Sequence, residues 1–249
     1  MFKLPYQDEI SVAEDIETIR SLCKKFAQHF EFEYFFYADI YPSPKTYPDI
    51  ILVDGFPKGW MSHYSTKNYS SIDPVIHHCV SQTVPIIWED IQEKVKKNTV
   101  EYDFVMEACQ FGLCSGISFP IHSPLTCAGI FSLGSPAKGL EIEERIESVK
   151  TYGQLFGIYI HSALQKYREA NQDVGQTKKI SLTNREIQCL MWAAEGRTTK
   201  EIAKNLDIVE STVIFHLQNA AKKLGANNRV QAVAQAIKTG IIQPVLRER

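Results

Sequence analysis

Trp60 and Tyr64 are four residues apart, so on a helix they share one face. Phe56 precedes them, Trp88 follows, and Asp73 sits between, inside the apolar run Ile72-Asp73-Pro74-Val75-Ile76. A carboxylate among several rings makes an apolar pocket with one strong acceptor. That suits a small amphipathic ligand bearing an N–H donor. The same residues admit a plainer reading. Aromatic side chains are commonly core, and Asp followed by Pro is a frequent helix start, with Asp as cap and Pro as the first helical residue. The pattern alone leaves both readings open.

A second group of functional types lies near the C-terminus. Thr183-x-x-Glu186 and Thr198-x-x-Glu201 are capping boxes, and Gly196, Gly225 and Gly240 are stops. They delimit four short helices, the second and third joined by the turn Asp207-Ile208-Val209. That is helix-turn-helix grammar. Ile187, Leu190, Met191, Ile202, Leu206, Ile208, Val213, Leu217 and Leu224 converge as its core. On the third helix Ser211, Thr212, Ile214, Gln218, Asn219, Lys222 and Lys223 face outward. Gln218 is suited to a bidentate pair with adenine. Ser211, Thr212, Thr199, Lys200 and Lys222 are suited to phosphate.

Other chemistry fits poorly. Asp73, His77, His78 and Cys79 suggest a hydrolytic or metal site, but adjacent His77 and His78 point to different faces. No HxxxH or HxH pair supplies metal spacing, and no GxSxG elbow supplies a nucleophile. Asp54 ends a strand as in a phosphorylated receiver, yet Asp8 and Glu9, its would-be acidic partners, precede a helix. No enzyme, metal or cofactor is expected.

The elements that must position these groups can be read along the 249 residues. The apolar fraction of 44% and charged fraction of 22% are those of a globular chain. The acidic start lacks a secretory h-region and no run is long enough to span a membrane, so a cytoplasmic protein is expected. The six cysteines show no close framework and are expected as reduced thiols.

From Ser181 onward ten Lys/Arg stand against six Asp/Glu, a charge of +4, so the remainder carries −6 of the net −2. A basic C-terminal third fits a nucleic-acid module. The first part reads αββ(αα)αββα. It opens with a helix on Ile16, Ile19, Leu22, Cys23 and Phe26. A helix beginning at Pro57 follows the first strand pair. The second strand pair is joined through Pro124-Leu125, and a long helix from Glu141 to Arg168 closes the order. The expected fold is α+β: an α/β/α sandwich with an antiparallel sheet, plus an all-α helix-turn-helix domain. Residues 1–170, a linker 171–180 and 181–249 are the expected divisions.

Both ends resemble one known family. "LTNREIQCLMWAAEGRTTKEIAKNLDIVESTVIFHLQNAAKKLGANNR" is similar to the DNA-binding domain of LuxR-type regulators, matching at Leu182, Thr183, Glu186, Gly196, Thr212, Val213, His216 and Lys223 among others. "GFPKGWMSHYSTKNYSSIDPVIHHCVSQTVPIIWED" resembles the autoinducer-binding domain of the quorum-sensing members, matching at Trp60, Tyr64, Asp73, Pro74 and Trp88, with Gly116 beyond. The resemblance implies a transcription activator that binds an acyl-homoserine lactone and, as a homodimer working with RNA polymerase, a pseudo-palindromic double-stranded promoter site.

It further implies that Asp73 accepts from the ligand amide, that Trp60 donates to the lactone carbonyl, that Tyr64 and Trp88 wall the pocket and that Ser132 donates to the amide carbonyl. Phe56 stands where many members carry Tyr, and Val75 where some carry a hydroxyl. Val209 replaces a capping Ser, and Ile214 a polar residue, so Ile214 meets a thymine methyl or reads no base. A receptor of the same fold for another small amphipathic signal is the alternative.

Overall fold

A computed structural model describes residues 4–41, 49–123, 128–171, 181–238 and 240–242. The chain divides into two compact units, residues 1–171 and 172–249. Most of the expected linker and the bend at Pro124-Leu125 lie outside the described residues.

The first unit runs α1 (Gln7–Ser11), α2 (Ile16–His29), β1 (Tyr34–Tyr41), β2 (Asp49–Gly55), α3 (Trp60–Thr66), α4 (Pro74–Ser81), β3 (Ile86–Ile87), α5 (Trp88–Gln92), α6 (Val100–Gln110), β4 (Ser115–Ile121), β5 (Ala128–Ser135) and α7 (Leu140–Asn171). The expected order is present, with α1, the two-residue β3 and α5 in addition. The strands form one antiparallel sheet ordered β2-β1-β5-β4-β3.

Alternation divides the sheet residues between two layers. Phe35, Tyr37, Ile117, Phe119, Phe131 and Leu133 are buried in the core shared with α1, α2 and α7. Phe36, Ala38, Ile130 and Ser132 face the other way, toward α3 to α6. This is the α/β/α sandwich.

Local chemistry sets the helix ends. Asp15 accepts from Thr18 N–H and starts α2 at Ile16. The α3 helix begins at Trp60 rather than Pro57, because Gly59 intervenes at φ 85°, outside helical space. On α7 the spacing singles out Ile142, Ile146, Val149, Tyr152, Leu155, Phe156, Tyr159 and Ile160; five are buried, while Tyr152, Leu155 and Tyr159 are only partly buried against the same core. What spacing missed is Gly153. A Cβ there would stand 2.1 Å from Phe119 Cζ, so its bareness lets the ring of β4 lie against the helix. Burying a ring such as Phe119 contributes about 1.5–3 kcal/mol.

The thiol expectation needs correction. Cys109 and Cys114 form a disulfide. Gly112, at φ 93°, turns the chain back after α6, so Cys114 at the head of β4 lies beside Cys109 in the last turn of the helix. Cys23, Cys79 and Cys189 are free and buried, and Cys127 lies outside the described residues.

The second unit is helical: α8 (Asn184–Ala194), α9 (Thr199–Leu206), α10 (Glu210–Lys223) and α11 (Arg229–Lys238). Both capping boxes form. Leu190, Ile202, Val213, Leu217 and Leu224 are buried together, with Ile187, Leu206 and Ile208 packed against them. Met191 does not join this core and is 37% exposed. One residue past Leu190, it is rotated about 100° away from the buried face. Among the described residues no helix is long and apolar enough to cross a membrane, and no cluster of side chains could hold a metal.

Candidate functional site

The layer between the sheet and α3 to α6 is not filled. It encloses a cavity of about 420 Å³. Phe56, Trp60, Tyr64, Asp73, Val75, Trp88 and Ser132 all line it, so the seven residues singled out in the sequence share one space. They arrive from the end of β2, from α3, α4, α5 and β5.

Asp73 is both a cap and part of the wall. Its Oδ1 accepts from Val75 N–H at 2.8 Å and starts α4. Its Oδ2 accepts from the Tyr64 hydroxyl at 2.8 Å. A carboxylate has about four acceptor positions, so two such bonds leave capacity for a ligand N–H. Burial pushes the Asp73 pKa above the usual carboxylate range, while Tyr64 and the backbone N–H groups of Val75 and Ile76 oppose the shift. Burial, and then the Asp73 charge, raise the Tyr64 phenol. Tyr64 therefore stays protonated and donates. Trp60, by contrast, lines the cavity with an indole N–H that has no hydrogen-bond partner among the described residues.

The helices that carry these groups are held to the sheet and to one another. The Trp60 ring packs within 5.3 Å of Phe111 and 6.0 Å of Phe104, ring centre to ring centre. Glu107 on α6 ties down α3 and the turn after it: its Oε2 lies 2.5 Å from His63 Nε2 and accepts from the Tyr69 hydroxyl at 2.5 Å. The Tyr69 and His63 hydrogen bonds hold the Glu107 carboxyl below its usual range. Phe56 stacks on Phe36 with centres 5.0 Å apart. It offers no hydroxyl.

Trp88 does more than wall the cavity. It lies over Gly116 and Gly134, where an added Cβ would come within 2.8 Å and 3.0 Å of its ring. Its indole N–H donates to Ser118 Oγ at 2.9 Å.

Sequence reasoning did not reach Phe36, Phe104, Leu113 or Glu107. Each comes from a segment remote from the Trp60–Trp88 stretch. Leu113 and Phe104 also read as ordinary core, so only the pleat of β1 gave a signal, in Phe36, Ala38 and Ile40 at every second position.

In the second unit, Ser211, Gln218 and Lys222 on α10 are exposed, as is Lys200 on α9; Thr199, Thr212 and Asn219 are half-buried. Ile214 is 47% exposed. Val209, at the cap of α10, makes no side-chain hydrogen bond, so the first-turn N–H groups of that helix lack a side-chain acceptor. Lys223 is not simply outward. Its Nζ reaches back to Glu186 Oε2 at 2.8 Å, and Glu186, 3% exposed, also receives Thr183 N–H. Burial raises the Glu186 pKa, but Lys223 and Thr183 outweigh it and the net shift is downward. This pair locks α10 against α8. Thr199, Ile214, Gln218 and Lys222 line a shallow groove with Asn227, Asn228 and Arg229. The last three escaped the sequence reading because Asn227 and Asn228 looked only like caps of α11 and Arg229 like its first residue.

Comparison with known proteins covers both units. Residues 15–164 match the autoinducer binding domain family, and residues 180–236 match the family of bacterial regulatory proteins, luxR family. The chain is 32% identical over 236 residues to the transcriptional activator protein LuxR of Aliivibrio fischeri, covering 94% of this chain and 92% of that one. It is 30% identical over 246 residues to the transcriptional activator protein AhyR of Aeromonas hydrophila, covering 98% and 94%. Among solved structures, that of Escherichia coli SdiA matches with a TM-score of 0.71 at 28% identity, over 94% of this chain and 95% of that chain.

Proposed function

Since the chain belongs to the LuxR family of autoinducer-binding transcription activators, we propose that its signal is an acyl-homoserine lactone bound in the sheet-side cavity. The carrying observation is a buried carboxylate with spare acceptor capacity, lining the same cavity as Trp60, whose indole N–H has no hydrogen-bond partner among the described residues. Asp73 accepts from the ligand amide and Trp60 donates to the lactone carbonyl. Tyr64 keeps Asp73 oriented. Ser132 donates to the amide carbonyl, and Phe56, Val75 and Trp88 enclose the rest. With Phe56 in place of a phenol, Ser132 is left as the donor on that side.

In this reading residues 1–170 form the ligand domain, 171–180 the linker and 181–249 the DNA-binding domain. The ligand completes an otherwise unfilled layer, and its burial stabilises the domain and supports a homodimer. Two α10 helices then read the halves of a pseudo-palindromic promoter site, because protein and operator symmetry match, and the activator works with RNA polymerase. Gln218 reads a base edge and Ile214 meets a thymine methyl. Ser211, Thr212, Thr199, Lys200, Asn219 and Lys222 position the helix on the backbone.

The protein is to be expressed beside a strain that makes acyl-homoserine lactones, and its bound small molecules extracted for mass spectrometry. A recovered lactone is the expected result. A different amphipathic molecule, recovered in stoichiometric amount, would replace the ligand assignment while leaving the regulator reading intact. For the DNA face, Gln218→Ala should weaken binding to the operator by about 1–3 kcal/mol and relax preference at one base pair. Lys222→Ala should weaken all sequences alike and flatten the salt dependence. Equal effects of the two on a panel of single-base operator variants would remove Gln218 as a reader.

A further inference from the structure

Ser118 does not line the cavity. It is fully buried on β4, directly opposite Ser132 on β5. The two hydroxyl oxygens are 2.7 Å apart, and Ser118 Oγ also receives the Trp88 indole N–H. Either serine could be the donor between them on distance alone. The chemistry of the third member decides. An indole N–H can only donate, so the Ser118 oxygen is an acceptor toward Trp88.

If Ser132 also donated to Ser118, the Ser118 proton would be left in a fully buried site. Among the described residues it has no acceptor there other than Ser132. Orphaning a buried hydroxyl is unfavourable. In the opposite sense Ser118 donates to Ser132, and every group is satisfied except the Ser132 proton. Ser132 is the member that lines the cavity.

We propose that Trp88 and Ser118 form a directional hydrogen-bond chain that commits the Ser132 hydroxyl to donate into the cavity, making Ser118 a positioning residue for ligands with an acceptor oxygen at that point. The inference rests on reading the cavity as an acyl-homoserine lactone site, where that oxygen is the amide carbonyl. A hydroxyl free to rotate would accept as readily as donate. One held by this chain selects a carbonyl over a donor group in the same place.

The test is a double-mutant cycle on the full chain, with N-octanoyl-homoserine lactone as probe and dissociation constants from calorimetry. Ser132→Ala and Ser118→Ala are each expected to weaken binding about five- to tenfold, the loss of one hydrogen bond. The double variant is expected to be no weaker than Ser132→Ala alone, because Ser118 acts only through Ser132. Ser118→Thr, which keeps the hydroxyl, is expected to restore most of the affinity. Ser118→Cys, a weak donor of similar size, is expected to fall between, and it serves if the alanine variant does not fold.

Losses that multiply in the double variant would show Ser118 to be mere packing under Trp88 and overturn the chain. So would wild-type affinity in Ser118→Cys. A wild-type protein that binds no lactone overturns the cavity reading and this inference together. That pattern is distinct from a wild type that binds while the losses multiply.

Discussion

Asp73→Asn is expected to leave the first unit folded and to weaken its binding of the lactone strongly. Asparagine caps a helix about as well as aspartate, so the bond from Val75 N–H and the start of α4 survive. The second oxygen does not. In the wild type one oxygen serves the cap and the other accepts from Tyr64. Asparagine has a single oxygen, and its amide nitrogen would meet the ligand N–H as donor facing donor, while the Tyr64 hydroxyl would have to turn from donating to accepting. Asp73→Ala loses the cap as well, and should weaken lactone binding by about 1.5–3 kcal/mol, the range for hydrogen bonds to charged groups. Calorimetric titration alongside thermal unfolding separates the two roles. Full affinity in Asp73→Asn would reduce Asp73 to a cap.

The same carboxylate sets a pH dependence. Its folded-state pKa is raised by burial. With the pKa raised above the unfolded value, its stabilising contribution is present at acid pH and lost as pH rises through the folded value. Burial thus keeps the neutral carboxyl populated to higher pH than in the unfolded chain, at the expense of the charged form. A ligand N–H binds that charged form. Lactone affinity should therefore fall as pH drops through the raised pKa, and the fall should vanish in Asp73→Asn. An identical pH profile in the two proteins would remove Asp73 as the titrating acceptor.

Gly116→Ala is expected to be the most damaging single methyl in the first unit. The added Cβ would lie 2.3 Å from the Leu133 carbonyl oxygen and 2.8 Å from Trp88 Cε3. The first is backbone of the neighbouring strand, paired in register, and cannot swing away. The second is the ring whose N–H begins the chain to Ser132. Overpacking of this kind typically costs about 1–3 kcal/mol, and the upper end is expected because backbone must move. Denaturant unfolding should show a lowered midpoint, and any folded fraction should bind lactone poorly. An unchanged midpoint with unchanged affinity would mean that the strands separate freely, contrary to the packing described.

Much of the architecture was legible because it depends on local rules. The period of α2, the capping boxes at Thr183 and Thr198 and the Asp73-Pro74 start of α4 are decided within a few residues. Each appears as expected. Expectations failed where a residue's fate depends on something distant. Met191 is apolar but lies one position off the buried face. Lys223 looked solvated until α8 brought Glu186 to it. Cys109 and Cys114 are unremarkable in sequence until Gly112 reverses the chain between them.

The candidate site divides in the same way. The chain by itself determined which side chains can do chemistry: a carboxylate at a helix start, two indoles and a phenol, in a segment that resembles a known family. It also offered the cap reading of Asp73, which the fold bears out, since i to i+2 bonding needs no tertiary partner. Only the folded structure decided that the layer above the sheet stays unfilled, and that Trp88 rests on two bare glycines. It alone brought Ser118 and Ser132 face to face across two strands. These are matters of register and close approach between segments far apart in sequence. A one-residue shift in the β4–β5 pairing would turn every side chain to the other face, and no local pattern specifies that register.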